Sequence, residues 1–307
     1  MKKPFCLFLT NNARLNQDNF EPCCWITKKC SNRSTTELAK YKDWLASIDN
    51  WVPECNYCEE KEIRGVVSPR ITANEEPSRL GINDDSDIGK TTALEFQIDA
   101  DCNSACIMCG EYNSTTWQKY NIGKIQDKSE VNKKIDAQNT AKVNIRLSRL
   151  KHLAKLDDVK IITFFGGEPL GNNVHKTIIK EVTEFSPLQS LTLRYISNMS
   201  KEIDSETIEL WKQAESVKLV CSLDGVGEHF NYIRWPLQWS QVEKNIKQVI
   251  NLGLPNLEIT ISCTLTPFNV YYIDRYIEWE QAIFKDTSYY NNNNKMMVPY
   301  VKFSAAS

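Results

Sequence analysis

The pattern of apolar and polar residues changes near residue 90. Beyond this point, short apolar runs typical of buried strands alternate with segments in which apolar residues recur at helical spacing. The strand-like runs cover residues 94–98, 159–165, 191–196, 217–223, 257–265 and 298–303, and the helical patterns cover 141–156, 173–185, 205–214, 240–252 and 270–284. Six strands alternating with helices predict an α/β fold with a parallel sheet, either open or closed as a partial barrel.

The residues before this point have a different character. Residues 1–70 are rich in cysteine and tryptophan and show only short periodic stretches. Residues 71–90 are polar and contain Pro77, Gly81 and Gly89, which is typical of a linker. We therefore predict a small cysteine-rich N-terminal module (1–70), a linker (71–90) and a main domain (91–307). Because the chain stops soon after the sixth predicted strand without a closing helix, we expect the main domain to be truncated there.

Composition excludes several classes of protein. The chain of 307 residues has 37 basic and 39 acidic side chains, for a net charge of -2. This balance argues against nucleic acid as a partner and against broad binding to anionic membranes. No apolar run reaches the length of a transmembrane helix, and the apolar stretch that follows Lys2 and Lys3 is too short for a secretory signal. We therefore expect a cytoplasmic protein with no membrane partner.

The distribution of the 11 cysteines is unusual, because nine of them lie within the first 109 residues. The other two, Cys221 and Cys263, fall inside strand-like runs and are predicted to pack in the core. Reduced cysteines at close spacing in a cytoplasmic protein are typical of zinc or iron–sulfur sites rather than of disulfides.

One group of three cysteines directly follows the first predicted strand. Cys102, Cys106 and Cys109 have the spacing C-x3-C-x2-C. The carboxyl ends of strands in such folds face the catalytic mouth. Three thiolates can hold three irons of a [4Fe-4S] cluster and leave the fourth iron open. A zinc site would normally require a fourth Cys or His nearby, and none follows Cys109 closely.

These cysteines and the segments after the next strands resemble the radical S-adenosylmethionine (SAM) superfamily over about residues 91–305. The second predicted strand ends in Gly166-Gly167-Glu168-Pro169, similar to the family segment that contacts the SAM amino group. Two glycines after a strand also let a ligand approach the backbone closely. The resemblance implies a partial (β/α)6 TIM-like barrel. It assigns further SAM-binding positions, which are Met108 near the adenine, Ser197 and Asn198 near the ribose and methionine moieties, Ser222, Asp224 and Arg234 toward the ribose and carboxylate, and Asn269 after the fifth strand.

The resemblance also implies a reaction. An enzyme of this superfamily cleaves SAM reductively at its [4Fe-4S] cluster to methionine and a 5′-deoxyadenosyl radical, which abstracts hydrogen from a substrate. The substrate expected here is a peptide or protein side chain, and the expected electron donor is of the flavodoxin or ferredoxin type. No catalytic acid or base is required. The alternatives are modification of a small molecule or nucleotide, or a zinc-stabilised binding module without catalysis.

The N-terminal cysteines resemble part of a SPASM or twitch module, which holds an auxiliary iron–sulfur cluster in radical SAM enzymes that modify peptides. The resemblance assigns Cys6, Cys23, Cys55 and Cys58 as ligands of a second cluster, although such modules usually follow the barrel. Cys24 competes with Cys23 for one position, and Cys30 is treated as a spare thiol. The alternative is a zinc knuckle formed by the same four residues.

The three histidines are too few and too scattered for a histidine-rich metal site. They are His152, His175 and His229. We predict that His152 and His175 lie on the surfaces of helices.

Overall fold

A seven-stranded sheet organises the described part of this computed structural model, which covers residues 5–16, 19–23, 25, 50–98, 101–111, 113–122 and 158–285. The strands are β1 (Asn12–Asn16), β2 (Asn19–Glu21), β3 (Ala93–Ile98), β4 (Ile161–Gly166), β5 (Thr192–Ser197), β6 (Ser216–Ser222) and β7 (Leu257–Ser262). Their order in the sheet is β2-β1-β3-β4-β5-β6-β7. The predicted strand at 298–303, the predicted helix at 141–156 and His152 lie outside the described residues.

The predicted α/β fold with a parallel sheet is confirmed. Strands β3 to β7 correspond to the first five predicted strands, and together with β1 they form six parallel strands. Strand β2 runs antiparallel to β1 at one edge. Within the described residues β2 and β7 are the outermost strands of the sheet.

Helices follow most of the strands. They are α1 (Leu7–Asn11), α2 (Asn56–Ile63), α3 (Pro69–Glu75), α4 (Thr115–Ile122), α5 (Val174–Val182), α6 (Ser205–Gln213), α7 (Gly227–Ile233), α8 (Trp239–Asn251) and α9 (Ile273–Phe284). Helix α8 shows why the periodicity predicted these elements, because Val242, Ile246 and Val249 recur on one face and are buried. No helix among the described residues has both the length and the apolar character needed to cross a membrane.

The burial of the strands follows from their sequences. Strand β4 reads Ile-Ile-Thr-Phe-Phe-Gly, and its first four residues are buried, as expected for a parallel strand covered on both faces. Strand β6 alternates, with Val217, Leu219 and Cys221 buried. Cys221 and Cys263 are almost fully buried, so the prediction that they belong to the core is confirmed.

Strand β1 was not predicted from the sequence. It pairs in parallel with β3, with Ala13 opposite Leu94 and Leu15 opposite Phe96. Its sequence, Asn-Ala-Arg-Leu-Asn, is short and contains two asparagines, which are depleted in strands. Pairing with the apolar β3 outweighs this weak local preference, so the sheet extends into the residues assigned to the N-terminal module.

The chain folds as two compact units, the first of which includes α1 to α3 with β1 and β2, and the second α6 to α9 with β6 and β7. A small core in the first unit consists of Leu7, Ala73, Leu80, Ile82 and Ala93. Residues 71–90, expected to be a linker, are folded and contain short 3-10 helices at Pro77–Leu80 and Asp85–Asp87. The buried Asp87 accepts from Lys160 Nζ at 2.7 Å through both carboxylate oxygens. The boundaries of the predicted domains stay a prediction.

The prediction that His175 lies on a helix surface is wrong. Only 1% of this residue is exposed, and its Nδ1 lies 3.2 Å from the Tyr195 hydroxyl. Phe164 stacks on Tyr195, with ring centroids 5.0 Å apart, and the three rings form one buried cluster. Burial lowers the pKa of His175 to about 4, below its ordinary value of 6.5. The histidine is therefore neutral in the folded chain at physiological pH.

We expect the buried His175 to make folding sensitive to mild acid. As the pH falls below 6.5, His175 becomes protonated in the unfolded chain, whereas in the folded chain it stays neutral down to about pH 4. The neutral histidine stabilises the folded chain above pH 6.5. Below that pH the stabilisation is lost, by about 2 kcal/mol at pH 5 and by about 3 kcal/mol once the pH is below the folded-state pKa. Urea unfolding at pH 7.5 and pH 5 measures this loss.

The control for this prediction is His175→Gln, which keeps a hydrogen-bonding side chain beside Tyr195 but does not titrate. The variant should lose less stability than the parent chain over the same pH interval. Equal losses in the two proteins would assign the acid sensitivity to other groups.

Candidate active site

The three cysteines after β3 lie on one loop, residues 102–109, which we call the cysteine loop. Its backbone is fixed by residues at the end of α7, because Ala105 N donates to Trp235 O at 2.6 Å and Ile107 N donates to Ile233 O at 2.9 Å. A second contact comes from α4, where the Trp117 indole donates to the Cys106 carbonyl at 3.0 Å. Two helices therefore hold the loop in place.

The thiols of the cysteine loop are close enough to influence one another electrostatically. Burial raises the pKa of the Cys102 thiol to about 12, and Glu168, Cys106 and Cys109 act in the same direction. Burial also raises the pKa of Cys109, while the Arg234 guanidinium lowers it. Three thiolates gathered on one partly buried loop require nearby positive charge to be stable. The donor set therefore fits the iron ions of a cluster, for which thiolates are the usual ligands.

The turn after β4 passes very close to the start of the cysteine loop. Gly166 has φ +115°, a conformation that favours glycine. A Cβ on Gly167 would lie 2.1 Å from the Asp101 carbonyl oxygen, and the same oxygen accepts from Glu168 N at 2.7 Å. Only glycine at position 167 allows this approach, so the Gly-Gly pair brings two backbone segments together.

The Glu168 carboxylate joins the ends of β4 and β5. It is 2% exposed and accepts hydrogen bonds from Leu170 N at 3.1 Å, Ser197 Oγ at 2.7 Å and Asn198 N at 2.6 Å. Burial raises the pKa of this carboxyl group, and the three hydrogen bonds oppose that effect. The Glu168 side chain therefore positions the residues at the end of β5, while its backbone N–H donates to the Asp101 carbonyl.

Polar residues after β5 connect this corner to Cys102. The Asn198 amide nitrogen lies 3.9 Å from the Cys102 sulfur and 3.2 Å from Asn103 Oδ1. Asn103 Nδ2 in turn donates to Ser200 Oγ at 2.9 Å. Asn103 and Ser200 were not singled out from the sequence, because only their contacts with Asn198 distinguish them from ordinary loop residues.

A buried ion pair follows β6. Arg234 donates to Asp224 Oδ2 through Nε at 2.8 Å and through Nη2 at 2.6 Å, and Asp224 Oδ1 accepts from Thr264 N at 2.8 Å. Burial lowers the pKa of Arg234, but Asp224 and the thiols of Cys106 and Cys102 outweigh it and raise the pKa above its ordinary value. Arg234 therefore faces both a carboxylate and the cysteine loop.

Asn269 connects two segments of this chain through hydrogen bonds. Its amide nitrogen donates to the carbonyls of Asp224 at 2.9 Å and Thr264 at 2.8 Å, and its Oδ1 accepts from Thr266 N at 2.7 Å. These bonds tie the segment after β6 to the segment after β7. The role of Asn269 toward SAM stays a prediction.

Other predicted positions lie on the same part of the fold. Met108, at the tip of the cysteine loop, is 36% exposed, and Ser222 is half-buried at the end of β6. Pro169 begins a short 3-10 helix after the glycines. Sequence reasoning missed a row of aromatic rings formed by Trp117, Tyr120 and Trp235, whose neighbouring centroids are 5.9 Å and 6.1 Å apart. Their signal in the sequence is only two aromatic residues one helical turn apart.

The structure thus brings most of the predicted SAM-binding residues to one place. The cysteine loop, Glu168, Asn198 and Arg234 are linked by direct contacts or by electrostatic influence on the thiols. Because they follow the ends of β3 to β6, they lie at the edge where parallel α/β folds place their catalytic residues. Their roles toward a cofactor stay predictions.

The four N-terminal cysteines predicted as ligands line one pocket. Cys6, Cys23, Cys55 and Cys58 share it with Trp25 and Trp51, among other residues. The first cysteine precedes α1, the second follows β2, and the last two lie at the start of α2. Residues far apart in sequence therefore line one pocket, and their role as cluster ligands stays a prediction. Cys24 and Cys30 lie outside the described residues.

The thiols in this pocket also influence one another. Burial raises the pKa of Cys6 to about 11, and Cys58 and Cys55 contribute in the same direction. Burial likewise raises the pKa of Cys58, opposed by the backbone N–H of Arg70 and the Ser68 hydroxyl. Over the described ranges, no three His, Cys, Asp or Glu side chains are grouped tightly enough to hold a single metal ion.

Comparison with known proteins gives matches among solved structures. No protein-family model and no curated protein matches the chain. The structure titled "Native anSMEcpe with bound AdoMet" is 19% identical, with a TM-score of 0.42, over 63% of this chain and 49% of that chain. A second structure of that protein, with AdoMet and the Cp18Cys peptide, is 18% identical with a TM-score of 0.43, over 63% of this chain and 48% of that one. Streptococcus suis SuiB bound to the precursor peptide SuiA is 12% identical with a TM-score of 0.42, over 75% of this chain and 50% of that one.

The chain spans about half the length of these proteins. Both are radical SAM enzymes, the superfamily that the motifs of this chain resemble. Because the identities lie below 20% and the TM-scores below 0.5, the function proposed below rests on the residues of this chain.

Proposed function

We propose that this protein is a radical SAM enzyme that acts on a peptide or protein side chain. The observation that carries the proposal is that Cys102, Cys106 and Cys109 lie close enough to act on one another electrostatically, with Arg234 and Asn198 beside them. A structural zinc site would not need the glycine turn and the buried polar residues that surround this group.

Cys102, Cys106 and Cys109 would hold a [4Fe-4S] cluster with one iron left for SAM. When bound, this cluster supplies an electron to the SAM sulfonium, whose cleavage gives methionine and a 5′-deoxyadenosyl radical able to abstract hydrogen from a substrate. The cysteine loop would contribute the three thiolates, and contacts with α4 and α7 hold its backbone in place.

The other residues would bind and orient SAM. The turn at Gly166 and Gly167 exposes backbone groups at close range, which suits the amino group of SAM. The Arg234 guanidinium adds positive charge beside the thiols and would attract the SAM carboxylate, while Asp224 fixes its orientation. Glu168 and Asn198 complete this side of the site through their mutual hydrogen bond.

The N-terminal pocket would hold a second iron–sulfur cluster through Cys6, Cys23, Cys55 and Cys58. The shared pocket supports this assignment. We expect an electron donor of the flavodoxin or ferredoxin type and a cytoplasmic location.

Anaerobic reconstitution tests the proposal. The full chain is incubated with iron and sulfide, reduced with dithionite and supplied with SAM. We expect brown absorbance, electron paramagnetic resonance (EPR) signals of two [4Fe-4S] clusters, and 5′-deoxyadenosine detected by chromatography. Bound zinc without brown absorbance, together with no 5′-deoxyadenosine, would contradict the proposal and support a zinc-stabilised binding module.

A further inference from the structure

Helix α3 fixes the backbone on both sides of Cys6. Arg70 Nη1 and Asn74 Nδ2 both donate to the Phe5 carbonyl, at 3.0 Å and 2.7 Å, and Asn74 Oδ1 accepts from Leu7 N at 3.0 Å. Arg70 and Asn74 are one helical turn apart and therefore lie on the same face of α3. This face holds the first cysteine of the N-terminal pocket in position.

The same arginine also fixes the helix that carries Cys58. Arg70 binds Glu62 with a two-pronged ion pair, Nε to Oε1 at 2.9 Å and Nη2 to Oε2 at 2.7 Å. Glu62 lies one turn beyond Cys58 on α2, and its Oε1 also accepts from the Ser68 hydroxyl at 2.5 Å. Both side chains of the pair are largely buried, with 11% of Arg70 and 16% of Glu62 exposed.

We infer that Arg70 is a positioning residue for the proposed auxiliary cluster, and that the Arg70–Glu62 pair sets the reduction potential of that cluster. The inference depends on one part of the proposed function, the auxiliary cluster in the N-terminal pocket. Arg70 connects the segments that carry Cys6 and Cys58, and its side chain lines the pocket. Glu62 does not line the pocket, but it is held by Arg70 and lies one turn from Cys58 on α2.

The two charges should move the potential in opposite directions. Reduction adds negative charge to a cluster, so a nearby positive charge favours the reduced form and raises the potential. Glu62→Gln leaves the Arg70 charge uncompensated and should shift the potential upward. Arg70→Gln leaves the Glu62 charge uncompensated and should shift it downward. A residue with a purely structural role would not produce shifts of opposite sign.

The experiment uses the full chain carrying Cys102→Ala, Cys106→Ala and Cys109→Ala, which removes the ligands of the proposed SAM cluster and leaves the N-terminal pocket intact. Iron content and an EPR-monitored redox titration are measured after anaerobic reconstitution, with Glu62→Gln, Arg70→Gln or Arg70→Lys added. Arg70→Lys keeps the charge but not the planar fork, so it should retain the parent potential with lower iron content. The matched control is Arg79→Gln, which removes an exposed arginine paired with Glu76 outside the pocket, and it should change neither quantity.

Opposite shifts for Glu62→Gln and Arg70→Gln would support the inference. Shifts in the same direction, or potentials equal to that of the parent, would overturn it. If Arg70→Gln binds no iron, the positioning role is supported. The effect of charge is then decided by comparing the reduction potentials of the Glu62→Gln and Arg70→Lys variants. A parent that binds no cluster would overturn the inference together with the auxiliary site. SAM cleavage by the chain with an intact cysteine loop reports separately on the proposed reaction.

Discussion

Replacing Cys102, Cys106 and Cys109 together with alanine should abolish the formation of 5′-deoxyadenosine from SAM. The three thiols lie on one short loop, and the charges of Cys106 and Cys109 both act on Cys102. No other described cysteine is placed to substitute, because the remaining ones line the N-terminal pocket or lie in the core. Iron content should fall by about four atoms per chain, the content of one cluster. Chromatography of the reaction products and iron determination measure the two effects.

The matched control removes the other group of cysteines. A chain with Cys6, Cys23, Cys55 and Cys58 replaced by alanine should lose a similar amount of iron but retain cleavage of SAM in the absence of substrate. Retained cleavage in the first variant would show that the cysteine loop does not hold the reactive cluster. Loss of cleavage in both variants would show that the N-terminal pocket is needed for folding or for electron supply.

The strands that the sequence predicted are those whose apolar runs are continuous. Strands β3 to β7 were found because burial on both faces demands such runs, which the residues of β4 show clearly. Strand β1 was missed because its pairing with β3, and not its own composition, makes it a strand. A local pattern does not contain the information for a pairing between residues about 80 positions apart.

The candidate site was predicted in part for a similar reason. The cysteine loop and the Gly-Gly turn are visible in the sequence because their spacing and residue types are restrictive. The tasks of Glu168 and Asn269 were not visible, because they depend on hydrogen bonds between the ends of different strands. His175 was misjudged because its partner Tyr195 lies on another element and makes burial of an imidazole acceptable.

The N-terminal pocket shows which residues of a site a sequence motif can identify. The resemblance assigned its four cysteines, and the structure gathers all four. The resemblance gave no indication of Arg70 or Asn74, because these two residues act through contacts with the backbone around Cys6. Residues that position ligands are chosen by three-dimensional contacts, so sequence reasoning finds the ligands before it finds their supports.

Asp224→Asn should be among the most destabilising single substitutions in the second compact unit. The side chain of Asp224 is 1% exposed and that of Arg234 is 11% exposed, so the guanidinium would remain buried without its carboxylate. Removing one member of a buried ion pair costs about 3–5 kcal/mol. Urea unfolding of the metal-free chain at pH 7.5 measures the change. The asparagine has the same size and shape as the aspartate, so the loss reports on charge and not on packing.

The proposed cluster adds a second expectation for this variant. Arg234 also faces the thiols of Cys102 and Cys106, and thiolates bound to a cluster would return part of the missing negative charge. The destabilisation should therefore be smaller in the reconstituted chain than in the metal-free chain. The control is Glu209→Gln, which breaks an exposed ion pair with Lys212 and should cost less than about 1 kcal/mol in either form. A loss for Asp224→Asn no larger than that of the control would show that the pair contributes little. A loss equal in both forms would separate Arg234 from the cysteine loop.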